Sequence, residues 1–243
     1  MIFINHYQKV TVMIQKLLIC LLFGLGISIH ACADTQKSKP VIIFLNGTSS
    51  AGKTSIAHKL QEFSSEPLTL MGLDLVDFLW NNRFIMFGSE AGKGFQFIRK
   101  DDVEGKKLII QSGPEGKRFI HGLHRAIKAM VDSGLPIVLD EFVFDPEDMQ
   151  DYIEVLRDYT VYFIAVKPPV EVAEQREIAR GDREVGLARG LYKAIYGEYN
   201  YDLVIDSSLY TPEESARLIL KYMEQHPTSQ VFQSNAVIKN ERR

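Results

Sequence analysis

Residues 41–54 read Val-Ile-Ile-Phe-Leu-Asn-Gly-Thr-Ser-Ser-Ala-Gly-Lys-Thr, an apolar run passing into a glycine-bracketed turn and then into a helical pattern. Val41 to Leu45 are unbroken in their apolarity. A strand shows this when both its faces are buried, as in a parallel sheet covered by helices. Beyond the turn, Ile56, Leu60 and Phe63 recur at i, i+4 and i+7, the spacing of one helix face. Gly47 and Gly52 enclose four residues, and Lys53 and Thr54 follow. Such a turn points successive backbone N–H groups inward, and the helix beyond it adds the positive end of its dipole. Lys53 is then placed to reach the β- and γ-phosphates of a nucleotide, and the Thr54 hydroxyl to ligate Mg²⁺. Gly47, Thr48, Ser49, Ser50, Ala51, Gly52, Lys53 and Thr54 form the expected phosphate-binding set. A nucleoside triphosphate is the ligand this pattern fits.

The chain has 243 residues, 46% of them hydrophobic and 24% charged, with a net charge of −3. These are values of an ordinary globular protein, and they give no broad basic surface for nucleic acid. Residues 1–33 stand apart: they hold no Asp or Glu, they carry Lys9 and Lys16, and an apolar run extends from Leu17 to Ile29. That run suits a signal-peptide core and is short for a membrane span, and Ala31-Cys32-Ala33 supplies a small-residue cleavage site. The expectation is a signal peptide, hence an exported protein. The alternatives are an uncleaved or lipidated anchor, which would be the only membrane attachment, and a cytoplasmic chain. Both cysteines, Cys20 and Cys32, lie in this leader.

Residues 34–40 read as a polar linker, and from 41 to 224 strands and helices alternate. Strands are expected at 68–73, 137–139, 161–166 and 203–205, each followed by a helical pattern. Residues 81–118 read as irregular, with hairpin segments near 95–98 and 108–110. Asp145-Pro146-Glu147-Asp148 and Thr211-Pro212-Glu213-Glu214 carry the cap, first-turn proline and acids that open a helix. In the last helix Leu218 and Met223 are placed toward the core. Residues 225–243 read as a frayed polar tail. Five apolar strands alternating with helices predict one α/β domain, a parallel sheet covered on both faces.

In such a sheet, functional groups gather at the carboxyl ends of the strands. Asp74 ends the second strand and is placed to accept a proton from an attacking hydroxyl, or else to cap the helix beginning at Leu75. Asp140 ends the third and is placed to support Mg²⁺ with Thr54; Glu141 is a weaker candidate. Arg176 and Arg180 are i, i+4 on one helix, and Gly181 can turn Arg183 back toward them. Arginines so placed neutralise charge during phosphoryl transfer; the bland alternative pairs them with Glu174 and Glu177. Phe78, Trp80, Phe84, Phe87, Phe95 and Phe97 cluster in sequence, divided between core and an acceptor pocket in a way spacing does not resolve. His58, His121 and His124 have no metal-ligand spacing.

The chain resembles the chloramphenicol phosphotransferase-like family, in the order of Asn46 to Thr54, Gly72-Leu73-Asp74, Gly113-Pro114-Glu115, Asp140-Glu141 and Ala179-Arg180-Gly181-Asp182-Arg183. Tyr201-Asp202 and Asp206 extend the resemblance, which covers residues 41–222. It implies a three-layer P-loop NTPase fold, nucleotide-kinase-like, with a five-stranded parallel sheet and an arginine-bearing lid. It further implies transfer of the ATP γ-phosphate to a small hydroxylated acceptor, with Asp74 as catalytic base, Arg176 and Arg180 as lid arginines, and ATP and Mg²⁺ as cofactors. Thr48 stands where the family has glycine, and Tyr196 where a compared member has histidine. The drug specificity in the family's name is not carried over. Rival readings are a kinase for a sugar, nucleoside or adenylylsulfate-like acceptor, and an exported nucleotide-binding module without turnover.

Overall fold

A computed structural model describes residues 40–236, apart from 104, 183 and 198. The leader at 1–33, most of the linker, Arg183 and residues 237–243 lie outside the described residues. Within them, strands β1 (Ile42–Asn46), β2 (Thr69–Gly72), β6 (Ile137–Glu141), β7 (Val161–Val166) and β8 (Leu203–Ile205) form a five-stranded sheet in the order β2-β6-β1-β7-β8. Every pairing is parallel, with β1 central: Asn46 lies between Glu141 of β6 and Ala165 of β7. The predicted five-stranded parallel sheet is present.

Two helical layers follow from the alternation of side chains along each strand. Ile42, Phe44, Ile137, Leu139, Val161 and Phe163 face α3 (Pro114–Asp132) and α4 (Pro146–Val155). Ile43, Leu45, Val138, Tyr162 and Ile164 face α1 (Lys53–Phe63) and α7 (Pro212–Gln225). A third cluster joins α6 (Leu187–Tyr196) to Leu108 of a small second sheet. That sheet comprises β3 (Ile85–Met86), β4 (Phe95–Arg99) and β5 (Leu108–Ser112), with β4 and β5 antiparallel. The remaining helices are α2 (Val76–Leu79), α5 (Val170–Arg180) and α8 (Val231–Ser234). The caps read from sequence are realised. Asp145 accepts from the Glu147 N–H, and Thr211 with Glu214 closes a capping box.

Three expectations are corrected. Helix α3 starts at Pro114, inside the stretch read as irregular, because a first-turn proline and Glu115 make a good helix start there. Leu218 is 37% exposed, and Ala216 and Ile219 take the core positions, while Met223 packs against the core as expected. The tail does not fray at Gln225. A short helix follows, and Phe232 is 0% exposed, its ring 5.5 Å from both Phe44 and Phe163. One aromatic among polar neighbours leaves no periodic signal, yet it fills the centre of a face.

Candidate active site

The loop after β1 carries two left-handed residues, Ser50 (φ 57°) and Gly52 (φ 98°). Its base is clamped from three sides. Asn46 donates from Nδ2 to the Tyr201 hydroxyl (2.9 Å), and its Oδ1 accepts from the Val143 N–H (3.1 Å). The Thr48 N–H donates to the Tyr196 hydroxyl (2.9 Å), which itself donates to the Val166 carbonyl. The Thr48 hydroxyl donates to the Ala188 carbonyl (2.7 Å). The two departures from the family pattern, Thr48 and Tyr196, therefore bond to each other and anchor the loop to α6 and β7.

Lys53, 7% exposed, donates to the Thr48 carbonyl (3.1 Å) and lies 3.5 Å from Oδ1 of Asp140. Thr54 donates its hydroxyl to Oδ2 of the same Asp140 (2.5 Å). The structure thus brings Lys53, Thr54 and Asp140 together, as read from sequence. Parallel register does this: β6 runs beside β1 and ends level with the loop. Two neighbouring hard oxygens beside a phosphate loop fit Mg²⁺, which takes few protein ligands and fills its shell with water and phosphate. Thr54 and Asp140 would hold it. Among the described residues, no group of three or more His, Cys, Asp or Glu forms a metal cage.

Asp74 sits on the 3₁₀ turn Leu73–Leu75 directly after β2. It lines one cavity of about 560 Å³ together with Ser49 to Ser55, Asp140 and Arg180. The cavity has two chemically distinct ends. One is the loop with Lys53 and Thr54. The other is walled by Val76, Ile85, Phe95, Phe97 and Ile110, while Phe142 lines the cavity beside Lys53, its ring 5.9 Å from the Nζ. The aromatics unresolved by spacing now separate. Phe95 and Phe97 line the cavity, Trp80 and Phe84 pack edge to face, as do Phe87 and Phe97, and Phe78 is 86% exposed. Phe142 was missed, since an aromatic just past a strand end reads as core.

The arginines part company. Arg180 lines the cavity and forms a bidentate pair with Asp182 (3.1 Å for both contacts). Arg176 turns instead to Ser207, donating to its hydroxyl (2.9 Å) and its carbonyl (2.7 Å), while the Ser207 hydroxyl donates to the Ala51 carbonyl (2.6 Å). Arg176 thus braces the back of the loop. The acids of the bland alternative are engaged elsewhere: Glu174 with Arg189, and Glu177 with the Gly186 and Ala188 N–H groups. Ser207 and Glu177 were not anticipated as contributors, and only their buried partners reveal them.

Glu141, next to Asp140, is buried, and burial pushes its carboxyl up to about 8. The Tyr152 hydroxyl donates to it (2.7 Å) and opposes that rise, while Asp140 and Asp74 add to it. Burial thus disfavours a second negative charge beside the loop. His124 is stacked on Tyr152 and bonded to Asp151 (2.6 Å), and burial lowers it to about 4. It is a core histidine. His58 lies on the surface beside Gln61.

The profile of the chloramphenicol phosphotransferase-like proteins matches residues 40–224. The chain belongs to this family. Two curated relatives, from two strains of Mycobacterium tuberculosis and each provisionally named an O-phosphotransferase, are 28% identical over 192 residues, 79% of this chain and 85% of theirs. Among solved structures, the APS kinase of M. tuberculosis in complex with AMPPNP and APS superposes with a TM-score of 0.53 at 14% identity, over 76% of this chain and 98% of that one. A sugar kinase from Janibacter sp. gives 0.51 at 19% identity, over 78% and 96%. A gluconokinase from Sinorhizobium meliloti gives 0.51 at 15% identity, over 77% and 93%. At these identities the structures show a shared P-loop kinase fold. Family and fold together support a P-loop phosphotransferase.

Proposed function

We propose that this family member transfers the γ-phosphate of ATP to a hydroxyl of a small molecule bearing an apolar or ring portion. One observation carries the reading: Asp74, Lys53, Thr54 and Asp140 line the same cavity, whose other end is apolar and aromatic. The loop amides and Lys53 bind the phosphates. Mg²⁺ bound at Thr54 and Asp140 would supply charge to the phosphate oxygens. Asp74 takes the acceptor's hydroxyl proton as its oxygen bonds to the γ-phosphorus, while the bond to the bridging oxygen breaks and ADP leaves. Arg180 neutralises the equatorial oxygens, and a bidentate guanidinium suits them. Arg183 is assigned the same task by its place in the Ala-Arg-Gly-Asp-Arg segment. Arg176 acts at one remove, holding Ala51 and Ser207.

The test is ADP release by the full chain with ATP, Mg²⁺ and a panel of ring-bearing alcohols, nucleosides and sugars. Acceptor-dependent release that collapses in Lys53→Ala supports the reading. Nucleotide binding without turnover across the panel would favour the non-turnover module, and turnover confined to sugars or nucleosides the other kinase reading. The leader is proposed to direct export, and N-terminal sequencing of the protein recovered from cell fractions tests that. A chain retained in the cytoplasm with residues 1–33 intact would refute it.

A further inference from the structure

We propose that Glu177 is a positioning residue that couples the phosphate-binding loop to the acceptor wall, an inference that rests on the nucleotide reading above. Glu177 lies on α5 between Arg176 and Arg180, and it is 0% exposed. Its two carboxylate oxygens accept from the N–H groups of Gly186 (2.8 Å) and Ala188 (2.9 Å), and the nearby Ser49 side chain favours its charged form. Both bonded partners are donors, so the site calls for a group with two accepting oxygens. The carboxylate also stands at the N-terminus of α6, where a negative charge is favoured by the helix dipole.

The first turn of α6 is joined on both sides. Toward the nucleotide end, the Ala188 carbonyl accepts from the Thr48 hydroxyl (2.7 Å), and Ser49 stands near Glu177, which holds the same turn. Toward the acceptor end, the Gly186 carbonyl accepts from the Leu108 N–H of β5 (2.9 Å). Gly190 lies so near β5 that a Cβ there would sit 2.1 Å from the Leu108 carbonyl oxygen, so the helix and strand backbones touch. On β5, Ile110 faces Phe97 of β4, and both line the apolar end of the cavity. A ligand that fixes Ser49 and Thr48 therefore biases α6, and α6 bears directly on the acceptor wall. By linkage, acceptor and nucleotide then change each other's affinity by one common factor.

Hydrogen–deuterium exchange of the full chain, with and without Mg²⁺ and AMPPNP, reads this coupling. In the wild type, saturating AMPPNP slows exchange at 47–54, and also at 186–190 and 108–112. In Glu177→Gln an amide NH₂ replaces one accepting oxygen and faces a donor. AMPPNP at saturation still protects 47–54, protection at 108–112 is lost, and the Kd for AMPPNP rises about tenfold. Unchanged nucleotide-dependent protection at 108–112 in Glu177→Gln overturns the proposal. So does a loss of protection at 186–190 that is equal with and without AMPPNP, because that is a merely structural role. Should Glu177→Gln fail to fold, Ser49→Ala removes only the hydroxyl near Glu177, and undiminished protection at 108–112 in that variant is equally fatal. A wild type that binds no AMPPNP sinks the nucleotide reading and this inference with it. Binding without any protection at 108–112 sinks the inference alone.

Discussion

At the phosphate-loop end of the cavity, functional side chains follow β1 and β6, central strands buried along almost their whole length; at the apolar end they hang from 3₁₀ turns and a small three-stranded sheet, where Phe95 is buried and Phe97 partly exposed. The first end leaves its side chains little freedom: Asn46, Thr48, Tyr196 and Tyr201 bond one another or nearby backbone groups. The second end is held mainly by ring packing, which tolerates change of shape. A shared phosphate donor can be served by a fixed end, and diverse acceptors call for an end that varies.

Predictions that separate the two ends run from large effects to small. Asp74→Asn should lower acceptor-dependent ADP release by about 10²- to 10⁴-fold, the usual worth of a general base, while AMPPNP affinity changes little. Parallel loss of AMPPNP binding, read by calorimetry, would place Asp74 at the phosphate end instead. Phe232→Ala removes a fully buried ring behind β1 and β7 and should cost about 3–5 kcal/mol in urea unfolding. A cost below 1 kcal/mol would show that the fixed end does not depend on it.

The buried polar groups behind β6 give a pH test. Folded His124 titrates near 4, below its ordinary 6.5, so the unfolded chain binds the extra proton between these values. Its contribution is complete above about 6.5 and is lost as pH falls toward 4, by at most about 3 kcal/mol. Glu141 and Asp148, raised to about 8 and about 6, act with the opposite sign over part of that range. The measurement is therefore the stability of wild type against His124→Gln at pH 7.5 and pH 4.5. The variant should lose less on acidification, and equal losses would refute a neutral His124. Smallest is Phe97→Ala, expected to raise the acceptor KM about tenfold with unchanged AMPPNP affinity, as loss of a ring contact does. An unaltered KM would remove β4 from the acceptor wall.

Much of the architecture was legible in the sequence. Val41–Leu45 and 161–166 carry unbroken apolar runs, because strands buried on two faces need no polar alternation, and the caps at Asp145 and Thr211 are local chemistry. Lys53, Thr54 and Asp140 were legible together because parallel register brings strand ends level. What escaped depends on distant packing. The separation of Arg176 from Arg180 is set by Ser207 beyond β8, and helical spacing alone places them on one face. Glu177 reads as one more surface acid in a charged helix until the chain returns at Gly186 to cover it. Phe142 and Phe232 are single aromatics without a period, and only the tertiary fold tells a cavity wall from a core plug.

The place of Phe232 bears on how the molecule comes into being. Its ring completes a cluster whose other members, Phe44, Tyr152 and Phe163, are made much earlier in synthesis. Until the segment beyond α7 leaves the ribosome, the part of that face beside Phe44 and Phe163 lacks its cover, and a nascent chain presents that apolar surface to chaperones and proteases. A chain broken off after α7 is therefore expected to be cleared faster than the full chain even though its phosphate loop and Asp74 are intact.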